Sequence, residues 1–402
     1  MISYRKLREP YHFAAVVLLN TFVLLLLLNV VFLLVFSIKD TFLEESPPVL
    51  TQYGQSLETV YPDLNKKEIE DLLHETWSRP VAYEPFTQYK ERPYAGKYVN
   101  VHKDGFRITK DQGPWPPNRN KYFTVFLFGG STTFSFGLSD DQTIASYFQP
   151  LLSTVGMQRE ARVYNFGRGA YQSTQELILF ERLILSDFIP DMAIFIDGLN
   201  EFYSKDDQPL FTDRLERIFE GKIGEDCGWL QILNSLPMTR AALWTRRVVG
   251  SISFKNKRNQ AENGASLEEN ESYNHEKMVE TILARYLKNK KMIGVLAGAY
   301  GVNVIFVWQP IPHYGYDLRY HLFGLEPLDG DADFKLGYQH MSAYRAPTRL
   351  GRNFLWCADI QEGVQEPLYV DNVGHYSAKM SRKVAGCILD MIIEGNLLAI
   401  DK

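Results

Sequence analysis

The stretch Val125-Phe126-Leu127-Phe128-Gly129-Gly130-Ser131-Thr132-Thr133 decides the fold. Four consecutive apolar residues, two of them aromatic, read as a strand buried on both faces, as in parallel sheets. Two glycines then allow a sharp turn where a side chain would clash. A serine in that turn projects from the carboxyl edge of the sheet, where open α/β folds place their active sites. Taken alone, the same residues also describe a plain strand ending in a Gly-Ser turn. Residues further along must decide between the two.

Strand and helix signals alternate outward from this stretch. A helix is expected over residues 143–152, a short strand over 162–165 and an amphipathic helix over 173–185. A buried strand over 192–196 ends at Asp197-Gly198-Leu199-Asn200. Helical periodicity resumes over 276–300, a fourth buried strand follows at 302–308, and an amphipathic helix over 377–393 closes the chain. Strands separated by helices argue for βαβ units, hence a parallel sheet with right-handed crossovers. Residues 202–275 read as an insertion, ending in a polar stretch over 255–274 expected to be a mobile loop. Residues 309–367 read as irregular and rich in aromatics. Ahead of the central strand, residues 98–107 resemble a strand and turn, and Gly113-Pro114-Trp115-Pro116-Pro117 a rigid lead-in.

Residues 13–36 hold no charge and are long enough to cross a bilayer as a helix. Arg5, Lys6 and Arg8 precede this run, whereas the residues after it, among them Asp40, Glu44 and Glu45, are net negative. The positive-inside rule then places the amino terminus in the cytoplasm and the rest outside it. The run is too long for a cleaved signal peptide and ends in Phe36-Ser37-Ile38-Lys39, without a small-residue cleavage site. The expected organisation is a cytoplasmic terminus (1–12), a transmembrane signal anchor (13–38), a stalk with one short helix (39–97) and an α/β domain (98–402). That makes a single-pass membrane protein whose main domain is extracytoplasmic, periplasmic if the cell is Gram-negative.

The formal charge of −5 gives no reason to expect nucleic acid as a partner. Cys227, Cys357 and Cys387 permit at most one internal disulfide, and none sits in a CxxC or CxxH pattern, so no metal site is expected. No cofactor is expected either.

Three loops follow three successive strands, and each ends in a group suited to acyl transfer. The first offers the Ser131 hydroxyl, and the second, Asn165-Phe166-Gly167-Arg168-Gly169-Ala170, exposes backbone N–H groups. The third offers the Asn200 amide, and near the carboxyl end Asp371-Asn372-Val373-Gly374-His375 adds an imidazole with an acidic neighbour. A serine hydroxyl needs a base to become a nucleophile, and histidine suits that task near neutral pH. The tetrahedral oxyanion needs preorganised donors. Here these are the N–H groups of Ser131 and the Gly169-Ala170 loop, with the Asn200 side chain.

Together these blocks resemble the SGNH (GDSL-like) hydrolase superfamily, over about residues 98 to 395. Gly129 to Thr133 resembles its first block, Asn165 to Tyr171 the second, Asp197 to Glu201 the third and Asp371 to His375 the last. The resemblance implies a three-layer α/β/α sandwich around a central parallel sheet. It also implies serine esterase chemistry, with Ser131 as nucleophile, His375 as base and Asp371 as orienting acid. The oxyanion hole would be Ser131, Gly169, Ala170 and Asn200. Two departures stand out. Ala170 occupies the place where the family carries its loop glycine, and Asp371 lies four residues before His375 where the family spacing is three. Gly374 reads as a one-residue insertion absorbed by a bulge, leaving Asp371 and Asn372 as rivals for the imidazole.

The expected substrate is an acylated small molecule or glycan, or a lipid ester. An O-acyltransferase acting on an exported polysaccharide is the first alternative, and a non-catalytic scaffold or glycan-binding protein with a drifted triad is the second. Blander roles are also open: Asn200 as a helix cap, and His375 as a histidine beside the helix start at Ser377. His313, His321 and His340 read as structural or substrate-facing. Asp329, Asp331 and Asp333 read as a solvated turn, lacking the terminal glutamate of a calcium loop.

Overall fold

The computed structural model describes residues 4–42, 57–203, 208–219, 268–323 and 331–398. It falls into two compact units, one comprising residues 1–46 and 213–268, the other 47–212 and 269–402. The first unit contains helix α1 (Tyr4–Phe42), whose segment Tyr11–Leu34 is long and apolar enough to cross a membrane, with a mean hydropathy of 2.7.

The second unit opens with helices α2 (Leu57–Val60) and α3 (Lys66–Trp77). Two small antiparallel pairs follow, β1 (Val81–Glu84) with β2 (Gln88–Glu91), and β3 (Tyr94–Ala95) with β4 (Asn100–Val101). The α/β body then runs through β5 (Tyr122–Gly129), α4 (Ser131–Phe134), α5 (Ile144–Ser153), β6 (Glu160–Asn165), α6 (Ser173–Leu185), β7 (Met192–Asp197) and α7 (Leu199–Tyr203). After α8 (Thr212–Phe219), whose residues from Asp213 on belong to the first unit, come α9 (Glu268–Ala299), β8 (Asn303–Trp308), α10 (Asp331–Tyr344), α11 (Pro347–Leu350), β9 (Phe354–Trp356) and α12 (Ala378–Glu394).

The five long-range strands form one parallel sheet in the order β6-β5-β7-β8-β9. Every residue of β5 and β7 is buried, because helices cover both faces. On one face Phe126, Phe128, Phe195, Phe306 and Trp308 pack against Phe180 of α6 and Ile282 and Tyr286 of α9. Phe128 stacks on Phe195 with ring centroids 4.7 Å apart, and Phe195 on Phe306 at 5.7 Å. On the other face Val125, Leu127, Ile194, Ile196 and Val307 meet Phe148 of α5 and Val384 and Ile388 of α12. The chain therefore adopts the three-layer α/β/α sandwich expected. Because β5 is flanked by β6 and β7, the connections diverge to opposite faces around it, and a crevice opens at the carboxyl ends of β5 and β7.

Several expectations are corrected. The polar segment read as a stalk over 39–97 is, from residue 57 onward, folded onto the α/β body. Leu57, Tyr61, Ile69, Leu72 and Leu73 form a small core with Val99, Phe134, Leu138 and Val370. Their helical spacing, under an Asn65–Glu68 capping box, is diluted by charge on the outer face. The irregular reading of 309–367 missed α10, α11 and β9; β9 has only three residues, too few for a periodic signal. Helix α9 begins at Glu268, inside the expected loop, whose residues 255–267 lie outside those described. Asp333 is fully buried in α10 and meets His275, so it is not part of a solvated turn, while Asp329 lies outside the described residues.

Cys357, just after β9, and Cys387, in α12, are joined by a disulfide that ties the last helix to the sheet edge; Cys227 lies outside the described residues. Chain-entropy reasoning for a 30-residue separation assigns it about 3–4 kcal/mol of stability. Cys387→Ser is therefore expected to lower the unfolding free energy of the purified protein by that amount in denaturant titration, and reductant to do the same to the wild type.

Candidate active site

Ser131 is the first residue of α4, directly after the β5 turn. A helix this short gains little from its own hydrogen bonds, so its carbonyls need outside partners. Arg107, fully buried, supplies them. Its guanidinium donates to the carbonyls of Phe134 (2.9 Å), Ser135 (2.8 Å) and Leu138, and pairs with Asp140 at 3.1 Å. Sequence reading passed over Arg107; the available signal was a single cation between Phe106 and Ile108.

The Ser131 hydroxyl lies 2.8 Å from Nε2 of His375. The other ring nitrogen, Nδ1, is hydrogen-bonded to Oδ2 of Asp371, so Nδ1 carries the proton and Nε2 is the acceptor for the serine. Asp371 is itself fixed from three sides, because its Oδ1 accepts the backbone N–H groups of Val373 (3.0 Å), Gly374 (2.9 Å) and His375 (3.0 Å). Burial opposes ionisation of this carboxyl. The charge and hydrogen bond of His375 and the backbone donors outweigh burial and hold its pKa below the ordinary value.

The unusual spacing has a geometric origin. The Val370 N–H donates to the His375 carbonyl (2.9 Å) and the Ser377 N–H to that of Leu368 (2.9 Å), so residues 371–374 are the loop of a small hairpin. Gly374 takes φ +113° there, and this positive φ lets the loop curl around Oδ1. Asn372 is itself a buried residue of this loop, and the carboxylate on Nδ1 belongs to Asp371.

Ser131, Gly169, Ala170 and Asn200, the residues expected to form the oxyanion hole, line one cavity. Asn200 sits in α7 just past β7, and one hydrogen of its Nδ2 is taken by the Tyr171 carbonyl at 2.6 Å. An amide carries two, so the other remains for a ligand. An ideal Cβ on Gly130 would lie only 2.0 Å from that Nδ2, so glycine is required there for Asn200 to approach. Ala170 adopts φ +56°, the left-handed region the family glycine would favour, at a cost of roughly 1–2 kcal/mol for a side chain. The Gly169 N–H donates to Oε1 of Glu91 at 3.3 Å, which corrects the expectation that it serves the oxyanion and leaves the Ala170 N–H as the candidate donor of this loop. The turn between Arg168 and Ser173 is braced further by Glu201, whose carboxylate accepts the Ser173 N–H (2.7 Å) and hydroxyl (3.0 Å).

A cavity of about 340 Å³ opens beside Ser131, Asn200 and His375. Much of its wall comes from the α3–β2 segment. Trp77 meets the His375 ring edge-on at 5.2 Å, and Phe136 stacks on that ring at 5.6 Å. Arg79 and Glu91 form an ion pair at 3.1 Å with side chains 3% and 4% exposed. The Tyr89 hydroxyl donates to the Gly169 carbonyl at 2.7 Å, and Tyr171 donates to the Tyr89 carbonyl. Strand β2 thus clamps the donor loop from outside the sheet.

None of His313, His321 and His340 lines this cavity. His313 stacks on Phe334 at 5.5 Å and His321 on Tyr369 at 5.6 Å, with the pKa of His321 pushed down to about 4 by burial. His340 is half-buried on α10. Among the described residues no cluster of His, Cys, Asp and Glu could hold a metal ion.

No protein-family model matches the chain, and no curated protein does. Among solved structures it is similar to a lipase/acylhydrolase from Enterococcus faecalis, at 12% identity and a TM-score of 0.35, covering 69% of this chain and 98% of that one. An acetylxylan esterase from Geobacillus stearothermophilus matches at 12% identity and a TM-score of 0.36, covering 67% and 93%. The psychrotrophic esterase EstA from Pseudoalteromonas sp. matches at 9% identity and a TM-score of 0.33, covering 68% and 97%. At this level of likeness the chemistry rests on the geometry of the site.

Two outcomes follow from that geometry. Gly130→Ala would push the Asn200 amide aside and is expected to lower kcat for an ester about 10²–10³-fold, the effect of losing one oxyanion donor, with circular dichroism unchanged. Asp371→Asn is expected to lower kcat about 10⁴-fold by fixing the wrong tautomer, whereas Asn372→Ala should leave most of it. The reverse order would show that the wrong side chain has been paired with His375.

Proposed function

We propose that the protein is a serine esterase of SGNH type, held at a membrane by α1, that removes an acyl group from a glycan or lipid ester outside the cytoplasm. One observation carries this reading: the continuous relay from Asp371 through His375 to the hydroxyl of Ser131. In the first half-reaction Ser131 Oγ attacks the ester carbonyl while His375 Nε2 takes its proton. Asp371 stabilises the imidazolium, and the N–H groups of Ser131 and Ala170, with Asn200 Nδ2, receive the oxyanion. Collapse of the intermediate expels the alcohol, which leaves with the proton from Nε2. Water then attacks the acyl-serine by the same route, releasing the acid and restoring the hydroxyl.

An intact relay supports this reading over a drifted, non-catalytic site. The charge pattern around residues 13–36 and the Cys357–Cys387 disulfide both support an extracytoplasmic, oxidising compartment. Ser131→Ala is expected to abolish hydrolysis of p-nitrophenyl esters by several orders of magnitude while moving the melting temperature little. Wild-type turnover in that variant would end the serine-esterase reading. A reporter fused after Lys402 is expected to be active only when it requires an extracytoplasmic location.

A further inference from the structure

We infer, building on the esterase reading, that the substrate is an ester bearing a hydrocarbon chain of several methylenes, not a small acyl group on a sugar. The cavity beside Ser131 is walled by Trp77, Val81, Phe136, Leu199, Tyr203 and Leu210. At about 340 Å³ it is large enough for a whole small ligand, and an acetyl group would fill only a small part of it. The apolar surface continues outward at its rim, where Leu210 is 65% exposed and Tyr203 50%.

Away from the reacting centre, the polar side chains that α3, β2 and their connection contribute to the wall are bound within the protein. Thr76 Oγ1 donates to the Leu72 carbonyl (2.9 Å) and the Tyr89 hydroxyl to that of Gly169 (2.7 Å). Arg79 is held by Glu91 and, through Nε, by the Glu75 carbonyl at 2.8 Å. A sugar ring entering here would strip water from its hydroxyls and find these groups already engaged, which is unfavourable for each hydroxyl. A hydrocarbon chain meets no such penalty, and each buried methylene strengthens binding about fourfold. The shared chemistry is the chain itself, on either the acyl or the alcohol side of the ester.

The test uses the full-length protein in detergent micelles, comparing p-nitrophenyl acetate with octanoate, and ethyl acetate with octyl acetate. The expected result is a kcat/KM at least about 100-fold higher for the long member of one pair, the pair showing on which side the chain sits. Leu210→Asp, which puts a charge on an exposed rim position, is expected to cut that preference at least about tenfold. Equal kcat/KM within both pairs, with Ser131 still labelled by a fluorophosphonate, would overturn the inference alone. No hydrolysis of any ester together with no labelling would overturn the esterase reading and this inference with it.

Discussion

The site depends on one close approach, that of the Asn200 amide against the bare Cα of Gly130. It is set up by the sheet. Parallel pairing puts Gly129 of β5 opposite Ile196 of β7, so both strands end at the same height and their turns leave side by side. The turn after β5 carries Ser131, and α7 after β7 carries Asn200. With glycine at 130 the amide can lie flat against the backbone and still reach the Tyr171 carbonyl. The aromatic packing beneath, Phe128 on Phe195 on Phe306, keeps these strands in register. Packing in the core thus becomes precision at the crevice.

Around that centre the chain has added supports from outside the sheet. Residues 57–101 pack on Phe134, next to the serine turn, and on Val370, which adjoins Asp371. Strand β2 then holds the Gly169 loop through Glu91 and Tyr89, and Arg107 holds the last carbonyl of α4 and those just after it. The lead-in to the α/β body is therefore part of the site: it braces two of the three loops and supplies Trp77 against His375.

Much of this was legible in the sequence, and the reasons are specific. Strands β5, β7 and β8 announce themselves because burial on both faces demands uninterrupted apolar runs. Ser131 and Asn200 could be read because each follows such a strand, and His375 because it precedes a capped helix. What could not be read depends on contacts between residues distant in the chain. The role of Arg107 is set by carbonyls some thirty residues away, and the pairing of β9 by a neighbour rather than by its own three residues. The helices at 57–77 look like a stalk because only one face of each is apolar. The competition between Asp371 and Asn372 was undecidable from spacing alone, since the hairpin that sets it closes through backbone bonds.

His375 is proposed to make Ser131, among all the serines of the chain, a nucleophile. Peptide mapping by mass spectrometry after treatment with a fluorophosphonate tests it most directly. A single adduct on Ser131 is expected, formed quickly in the wild type and lost in His375→Ala. An adduct on another serine, or equal labelling of Ser131 without the imidazole, would contradict it.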